Sequence, residues 1–107
     1  MWKRRFGVLV LLLLWFGDAN AADRGAEPIV SHIKREPVES TAIAAIGYSK
    51  RLHALEIEFR NGFIYRYEEV PSHVYRELMA AESKARYYDQ NVRGKYHSLR
   101  VKPRVDE

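Results

Sequence analysis

Residues 53–70 read HALEIEFRNGFIYRYEEV, and this stretch decides the fold. Its first half alternates apolar and charged side chains, which is the pattern of a half-buried strand. Its second half alternates again from Phe63 onward, and Asn61-Gly62 between the halves is the strongest hairpin signal in the chain. We therefore predict a β-hairpin. The large apolar residues of its first strand are Leu55, Ile57 and Phe59.

The register of this hairpin decides where two tyrosines lie. A two-residue turn places Tyr65 and Tyr67 on the face opposite Phe59, as an exposed aromatic pair suited to stacking on bases or sugars. A three-residue loop over residues 60–62, with Gly62 left-handed in a bulge, moves both tyrosines to the face of Phe59, because a slip of one residue exchanges the two faces. We favour the bulge, since it collects the large apolar side chains in one layer and makes the tyrosines core residues.

The flanking segments complete the prediction of an α+β fold. Residues 41–48 are rich in alanine and isoleucine, and we predict a first strand there. Pro71 ends the hairpin and can open a helix over residues 72–82, and a second helix capped by serine follows over residues 83–92. Residues 96–101 can return as a short C-terminal strand. The prediction is a small antiparallel three-stranded meander followed by two short helices.

The first 21 residues have the three parts of a secretory signal peptide. Three basic residues precede an apolar run over residues 6–17, and the stretch from Asp18 to Ala22 supplies an Ala-x-Ala cleavage site. Twelve helical residues span about 18 Å, whereas a bilayer core needs about 20 residues, so a retained membrane anchor is the weaker alternative. We expect cleavage after Ala21 or Ala22, a periplasmic or secreted product, and no stable membrane span after cleavage.

The rest of the 107-residue chain has room for one small domain. We predict a flexible linker over residues 22–36, where no hydrophobic period is sustained, a domain over residues 37–101 and a charged tail over residues 102–107. Removing residues 1–21, with three basic residues and one acidic residue, lowers the formal net charge from +4 to +2. The overall charge is therefore no argument for nucleic-acid binding. The absence of cysteine excludes a disulfide scaffold, a thiolate metal site and a cysteine nucleophile.

The sequence contains none of the common catalytic or metal-binding motifs. Its histidines are about twenty residues apart, so no two form a close metal-ligand pair. We interpret the carboxylate pairs Glu56/Glu58 and Glu68/Glu69 as solvated surface. A small hydrolase-like enzyme that uses Glu68, Glu69 and His73 is the alternative. We predict no enzyme activity, no catalytic residue, no metal site and no cofactor. The four histidines are His32, His53, His73 and His97.

The C-terminal segment is the strongest candidate for a binding surface. Between residues 84 and 104 there are seven basic residues and a single acidic one, Asp89. Basic residues interleaved with tyrosines suit an anionic partner, since basic groups contact phosphates and aromatic rings stack. The alternative is a solvated helix face whose tyrosines pack on the sheet. The candidate binding residues, in this segment and at the centre of the hairpin, are Tyr65, Arg66, Tyr67, Lys84, Arg86, Tyr87, Tyr88, Arg93 and Lys95.

From residue 39 to residue 101 the sequence resembles the KTSC domain, a family of small domains. The most specific mark is Tyr65-Arg66-Tyr67 followed by Val70-Pro71. The sequence departs from the family pattern at Ala85, where relatives often have glycine, and at Tyr88-Asp89, where phenylalanine and asparagine are usual. The other matching segments are Ser40–Ile43, Ile46–Tyr48, Leu55–Phe59, Gly62, Ser83-Lys84, Val92-Arg93 and Tyr96.

The resemblance implies a binding role and no reaction. The KTSC family occurs as stand-alone bacterial proteins and at the C-terminus of some lysyl-tRNA synthetases, brings no catalytic residues to carry over, and has been suggested to bind RNA. We therefore expect an exported, non-catalytic binding module with an anionic or protein partner. RNA or single-stranded nucleic-acid binding is the alternative, which export disfavours because an exported protein does not meet tRNA.

Overall fold

A computed structural model describes residues 27–104 of the chain. These residues form an antiparallel five-stranded sheet whose strands neighbour each other in chain order, and two helices follow the fourth strand. The α+β class is confirmed, but the predicted count of three strands is too low. The short C-terminal strand is present, and the additional first strand has only two residues, too few to show a period. The elements are β1 (Glu36–Pro37), β2 (Ile43–Ser49), β3 (Ala54–Phe59), β4 (Ile64–Tyr67), α1 (Ser72–Ala80), α2 (Lys84–Asn91) and β5 (Ser98–Arg100).

The hairpin between β3 and β4 has the bulged register. The Phe59 amide donates to the Phe63 carbonyl at 2.8 Å, and the Gly62 amide donates to the Phe59 carbonyl at 2.9 Å. Gly62 has a φ of +96°, in the region that favours glycine. Tyr65 and Tyr67 therefore lie on the same sheet face as Phe59, and the favoured alternative is confirmed.

Replacing Gly62 with alanine is expected to lower the free energy of unfolding by about 1–2 kcal/mol, because a side chain on left-handed backbone costs that much. A Cβ at this position would meet no atom within 4 Å, so the effect comes from the backbone alone. Urea unfolding measures the loss. Gly62→Asn is the matched control and should lose less, since asparagine tolerates this region better. An alanine variant as stable as the parent would contradict the bulge.

One face of the sheet carries the core and is covered by the helices. Helix α1 buries Val74 and Leu78, and Ser83 caps α2 by accepting a hydrogen bond from the Arg86 amide at 3.2 Å. Helix α2 buries none of its own residues fully and is followed at once by the buried Val92. Both predicted helices are present, each within two residues of its predicted bounds. The buried core consists of Ile43, Ile46, Leu55, Ile57, Tyr67, Val70, Val74, Leu78 and Val92.

The other face of the sheet is covered by residues 27–35, which we name the arm. The arm forms a parallel bridge between Ile29 and Val101 and buries Ser31 and Ile33. Exposed side chains alternate with these, as in an extended segment lying on a surface. The described part of the predicted flexible linker is therefore packed on the sheet.

The two ends of the described chain are tied together. The Arg104 guanidinium donates to the Ser31 carbonyl at 3.0 Å and to the Ile33 carbonyl at 2.8 Å, so part of the predicted charged tail holds the arm. The predicted signal peptide, residues 1–21, lies outside the described residues. Within residues 27–104, no helix is long and apolar enough to cross a membrane.

Candidate aromatic–arginine surface

The nine candidate binding residues are distributed over both faces of the sheet. Tyr65 and Tyr67 lie on the core face of β4, whereas Arg66 between them points to the arm. The other six are on α2 or directly after it. The structure therefore brings some of the predicted residues together and separates others.

Four aromatic rings form a connected cluster between the sheet and α2. The Phe59 ring meets Tyr65 and Tyr88 edge to face, with centroid distances of 6.3 Å and 5.3 Å. The hydroxyls of Tyr67 and Tyr88 share a hydrogen bond of 2.6 Å. Burial, followed by this hydrogen bond, raises the pKa of Tyr67. Tyr67 is therefore a neutral core residue, while Tyr65 and Tyr88 are half-buried and extend the cluster to the surface.

An open groove of about 490 Å³ lies beside this cluster. Exposed Arg86 and Arg93 line the groove together with Tyr88 and Phe59. Asp89 also lines it and pairs with Arg93 at 2.5 Å, and this hydrogen bond raises the pKa of the guanidinium. The groove thus combines two aromatic rings with two guanidinium groups, of which Arg93 is paired with Asp89 and Arg86 has no acidic partner in the lining. Its remaining lining residues are Ala42, Ile43 and Ala85.

The sequence prediction missed two residues that extend the cluster. Phe63 is 45% exposed, and its ring centroid lies 6.5 Å from that of Tyr65. The Arg100 guanidinium carbon lies 4.7 Å from the centroid of the Phe63 ring. Arg100 comes from β5, where it pairs opposite Tyr65. The sequence shows that Arg100 belongs to the basic segment. Its contact with the Phe63 ring could not be predicted, because that contact depends on the pairing of β4 with β5. We call the following set of aromatic and arginine side chains the aromatic–arginine surface: Phe59, Phe63, Tyr65, Arg86, Tyr88, Arg93 and Arg100.

Three of the candidate residues lie outside the groove. The Lys84 ammonium donates to the Ala81 carbonyl at 3.0 Å, at the end of α1. The Tyr87 hydroxyl donates to the Glu77 carboxylate at 2.6 Å and so joins the two helices. Lys95 is exposed beyond α2. Lys84 and Tyr87 therefore have structural contacts of their own.

Because of its contact with Glu77, the Tyr87 hydroxyl is expected to ionise at a higher pH than a free tyrosine. Burial, then the hydrogen bond to Glu77, raises the pKa of Tyr87 from 10.0 to about 12. A raised pKa adds stability that is complete below pH 10 and is lost as the pH rises toward 12. We expect Tyr87→Phe to lose less unfolding free energy than the parent between pH 10 and 12, as measured by urea unfolding. Equal losses in the two proteins would contradict this coupling.

Arg66 belongs to an ion-pair network that lies between the sheet and the arm. Its guanidinium donates to Glu56 at 2.8 Å, and the same carboxylate accepts from Ser31 at 2.5 Å and from Arg35 at 2.9 Å. Glu56 is fully buried, and the Arg66 side chain is only 16% exposed. The prediction that Glu56 is solvated is wrong, because the arm brings Ser31 and Arg35 onto this face. Arg66 holds the fold together and does not belong to the aromatic–arginine surface.

Two of the three residues of the hydrolase alternative, Glu68 and His73, have separate partners. Glu68 pairs with His97 at 3.0 Å, whereas His73 pairs with Glu77 at 3.3 Å on α1. Each of these four side chains is at least 44% exposed. Among residues 27–104, no group of three histidine or acidic side chains is placed to hold a metal ion.

Comparison with known families matches the part of the chain that runs from β2 through α2. The model of the KTSC domain family matches residues 39–96. The chain belongs to the KTSC domain family. The crystal structure of a KTSC domain protein from Yersinia pestis superimposes with a TM-score of 0.64 at 36% sequence identity. That alignment covers 65% of this chain and 99% of the Yersinia chain.

Relatives of this KTSC protein include small proteins and a large enzyme. An uncharacterized protein of Stutzerimonas stutzeri is 38% identical over 58 residues, which are 54% of this chain and 82% of that one. A protein of Tsukamurella paurometabola is 39% identical over 64 residues, which are 60% of this chain and 96% of that one. A lysine–tRNA ligase of Nostoc punctiforme is 29% identical over 90 residues, covering 84% of this chain but only 15% of the ligase.

Two residues that depart from the KTSC pattern, Tyr88 and Asp89, make side-chain contacts in the structure. Tyr88 stands where the family pattern has phenylalanine, and its additional hydroxyl bonds to Tyr67. Asp89 stands where the pattern has asparagine, and its charge pairs with Arg93. Tyr88 therefore ties α2 to the sheet, whereas Asp89 holds the Arg93 guanidinium through an exposed ion pair beside the groove.

Proposed function

We propose that this KTSC protein is an exported, non-catalytic binding module whose contact surface is the aromatic–arginine surface. The observation that carries the proposal is the groove beside α2, where Arg86 and Arg93 flank Tyr88 and Phe59. A guanidinium can meet an anion with two parallel hydrogen bonds, and neighbouring rings add contact area for flat groups. The expected partner is therefore anionic.

The other two parts of the proposal have separate support. Export rests on the signal-peptide pattern of residues 1–21. The non-catalytic role rests on the candidate acid–base groups, since Glu68 and His73 each have a different, exposed partner. An anionic partner outside the cytoplasm is consistent with all three parts.

The contact surface is tested by binding of two probes to the chain from residue 22 to residue 107. Polyphosphate supplies negative charge without bases, and fluorescent single-stranded RNA supplies both. We expect polyphosphate to bind at low salt, and Arg86→Glu with Arg93→Glu to weaken binding about ten-fold or more. The slope of log affinity against log salt should fall by about 2, since each lost phosphate contact removes roughly 0.9.

The matched control is Arg76→Glu with Lys102→Glu, an equal change of net charge at two exposed cations that do not line the groove. At 0.1 M salt this control should leave polyphosphate binding within about two-fold of the parent, because the Debye length is then about 10 Å and charges away from the contact surface are largely screened. Equal losses in the groove variant and the control would show that binding follows net charge alone, and would reject this surface.

Single-stranded nucleic acid is a second candidate partner. Two observations favour it, the similarity to a lysine–tRNA ligase and the exposed Phe63 ring under Arg100. Stacking of a base is worth about 1–3 kcal/mol, so RNA should bind tighter than polyphosphate if bases are contacted. Phe63→Leu should then weaken RNA binding and leave polyphosphate binding unchanged. Equal affinities for the two probes would reject base contact and retain the anionic partner.

A further inference from the structure

The turn between β2 and β3, at the tip of their hairpin, exposes an apolar side chain, Leu52, to solvent. The Leu52 amide donates to the Ser49 hydroxyl at 3.1 Å, which fixes the turn, and His53 after it has a φ of +53°. Leu52 is 43% exposed on this ordered turn. The stacked rings of Tyr48 and Tyr75, with centroids 5.2 Å apart, line the same groove as Leu52. A single exposed leucine is ordinary on a protein surface, and it indicates a contact surface only where further apolar and charged groups lie beside it.

The arm places a second apolar side chain next to this tip. Val30 is 66% exposed and lines the same groove as Leu52. Lys34 and Arg51 line that groove as well, and Lys50 lines the adjoining one, where Leu52 is again present. The acidic side chains along the two grooves are Glu36 and Glu69. We name these five residues the hairpin-tip surface: Val30, Lys34, Lys50, Arg51 and Leu52.

We propose that the hairpin-tip surface binds the headgroup region of an anionic lipid bilayer. Two apolar side chains in one groove, beside three cations that outnumber the two acidic side chains, match the chemistry of that region, where acyl boundaries take apolar groups and anionic headgroups take lysine and arginine. The chain outside the described residues points to the same occupant. Only residues 18–26 separate the apolar run 6–17 from the arm, a reach of roughly 30 Å when extended. This step rests on the export proposed above: until the signal peptide is cleaved, the apolar run holds the arm within roughly 30 Å of the membrane.

The proposal is tested by co-sedimentation of residues 22–107 with vesicles. All contacts described here lie within residues 27–104, and the Yersinia pestis relative folds as a comparably small chain, so this piece contains its own fold. Vesicles of phosphatidylglycerol mixed with phosphatidylcholine are compared with vesicles of phosphatidylcholine alone. We expect binding to the anionic vesicles that weakens with salt, and at least about ten-fold weaker binding to the neutral ones.

Two variants separate the charges from the apolar side chains. Lys50→Glu with Arg51→Glu should weaken binding to the anionic vesicles at least about ten-fold. Val30→Ser with Leu52→Ser should weaken it several-fold at unchanged net charge. The matched controls are Arg76→Glu with Lys102→Glu for the charges and Ala80→Ser for the serine substitutions, all at exposed residues outside both named surfaces.

The outcomes decide the proposal and leave the aromatic–arginine surface independent, because the two surfaces share no residue. Loss confined to the hairpin-tip variants supports it. No sedimentation with anionic vesicles at low salt overturns it, and so do equal losses in the control variants. Equal binding to neutral and anionic vesicles also overturns it.

Discussion

Replacing Glu56 with alanine is expected to lower the free energy of unfolding by about 3–5 kcal/mol. The carboxylate is fully buried and accepts hydrogen bonds from Arg66, Arg35 and Ser31 at 2.8, 2.9 and 2.5 Å. Its removal leaves the Arg66 guanidinium without its carboxylate at a site only 16% exposed, which is far more costly than losing a surface ion pair. Small domains have about 5–15 kcal/mol in total, so this loss is a large share.

Urea unfolding of two further variants isolates the cause. Glu58→Ala removes a carboxylate on the same strand face that pairs with Arg35 at 3.3 Å and is 31% exposed, so it should cost less than about 1 kcal/mol. Glu56→Gln keeps the shape and one acceptor oxygen and should lie between the two. If Glu56→Ala costs no more than Glu58→Ala, the ion-pair network does not hold the arm on the sheet.

Replacing Gly47 with valine is expected to dislodge the arm at a cost of about 3 kcal/mol, the upper end for overpacking. A Cβ at Gly47 would lie 2.2 Å from the Lys34 carbonyl oxygen and 3.0 Å from a methyl of Ile33. Real contacts are never that short, and the obstacle is backbone, so the arm has to move. Moving it also exposes the carboxylate of Glu56, which pairs opposite Gly47 on β3.

Limited trypsin digestion measures the release of the arm, because the chain can be cut after Lys34 and Arg35. Cleavage there should be at least ten-fold faster in Gly47→Val, since about 1.4 kcal/mol of destabilisation already gives that factor when the opened arm is what trypsin cuts. Ala42→Val adds the same branched side chain at an exposed position and is the control. Equal cleavage rates in the two variants would contradict the close approach of the arm.

The hairpin shows which part of the fold local sequence determines. Asn61-Gly62 with alternating strands on both sides limits the register to two choices, and the need to bury Phe59, Tyr65 and Tyr67 together favours the one observed. The helices are equally local, since Pro71 and Ser83 mark where they begin. These elements could be predicted because neighbouring residues carry all the information.

The arm shows which part local sequence does not determine. Glu56 and Arg66 occupy the polar positions of alternating strands, a pattern typical of a solvated face. Their burial depends on Ser31 and Arg35, which are 25 and 21 residues before Glu56. A weak signal was present, because Ile29, Ser31, Ile33 and Arg35 follow the two-residue period of an extended segment.

The sequence predicted several residues of the candidate site but not how the fold would arrange them. The basic segment and its tyrosines supply Arg86, Tyr88 and Arg93, which the structure gathers around one groove. Phe63 was not singled out, because a ring at a hairpin turn has no distinguishing sequence pattern. Its contact with Arg100 depends on β5 pairing with β4, which is a long-range property of the sheet.

The proposed function depends most on where the domain acts, because location decides which anionic partners it can meet. Cell fractionation of the native protein, followed by intact-mass analysis, tests this directly. The proposal predicts a chain that begins at Ala22 or Asp23, found in the periplasm or the medium. An uncleaved chain in the cytoplasm would contradict export and make RNA the leading partner.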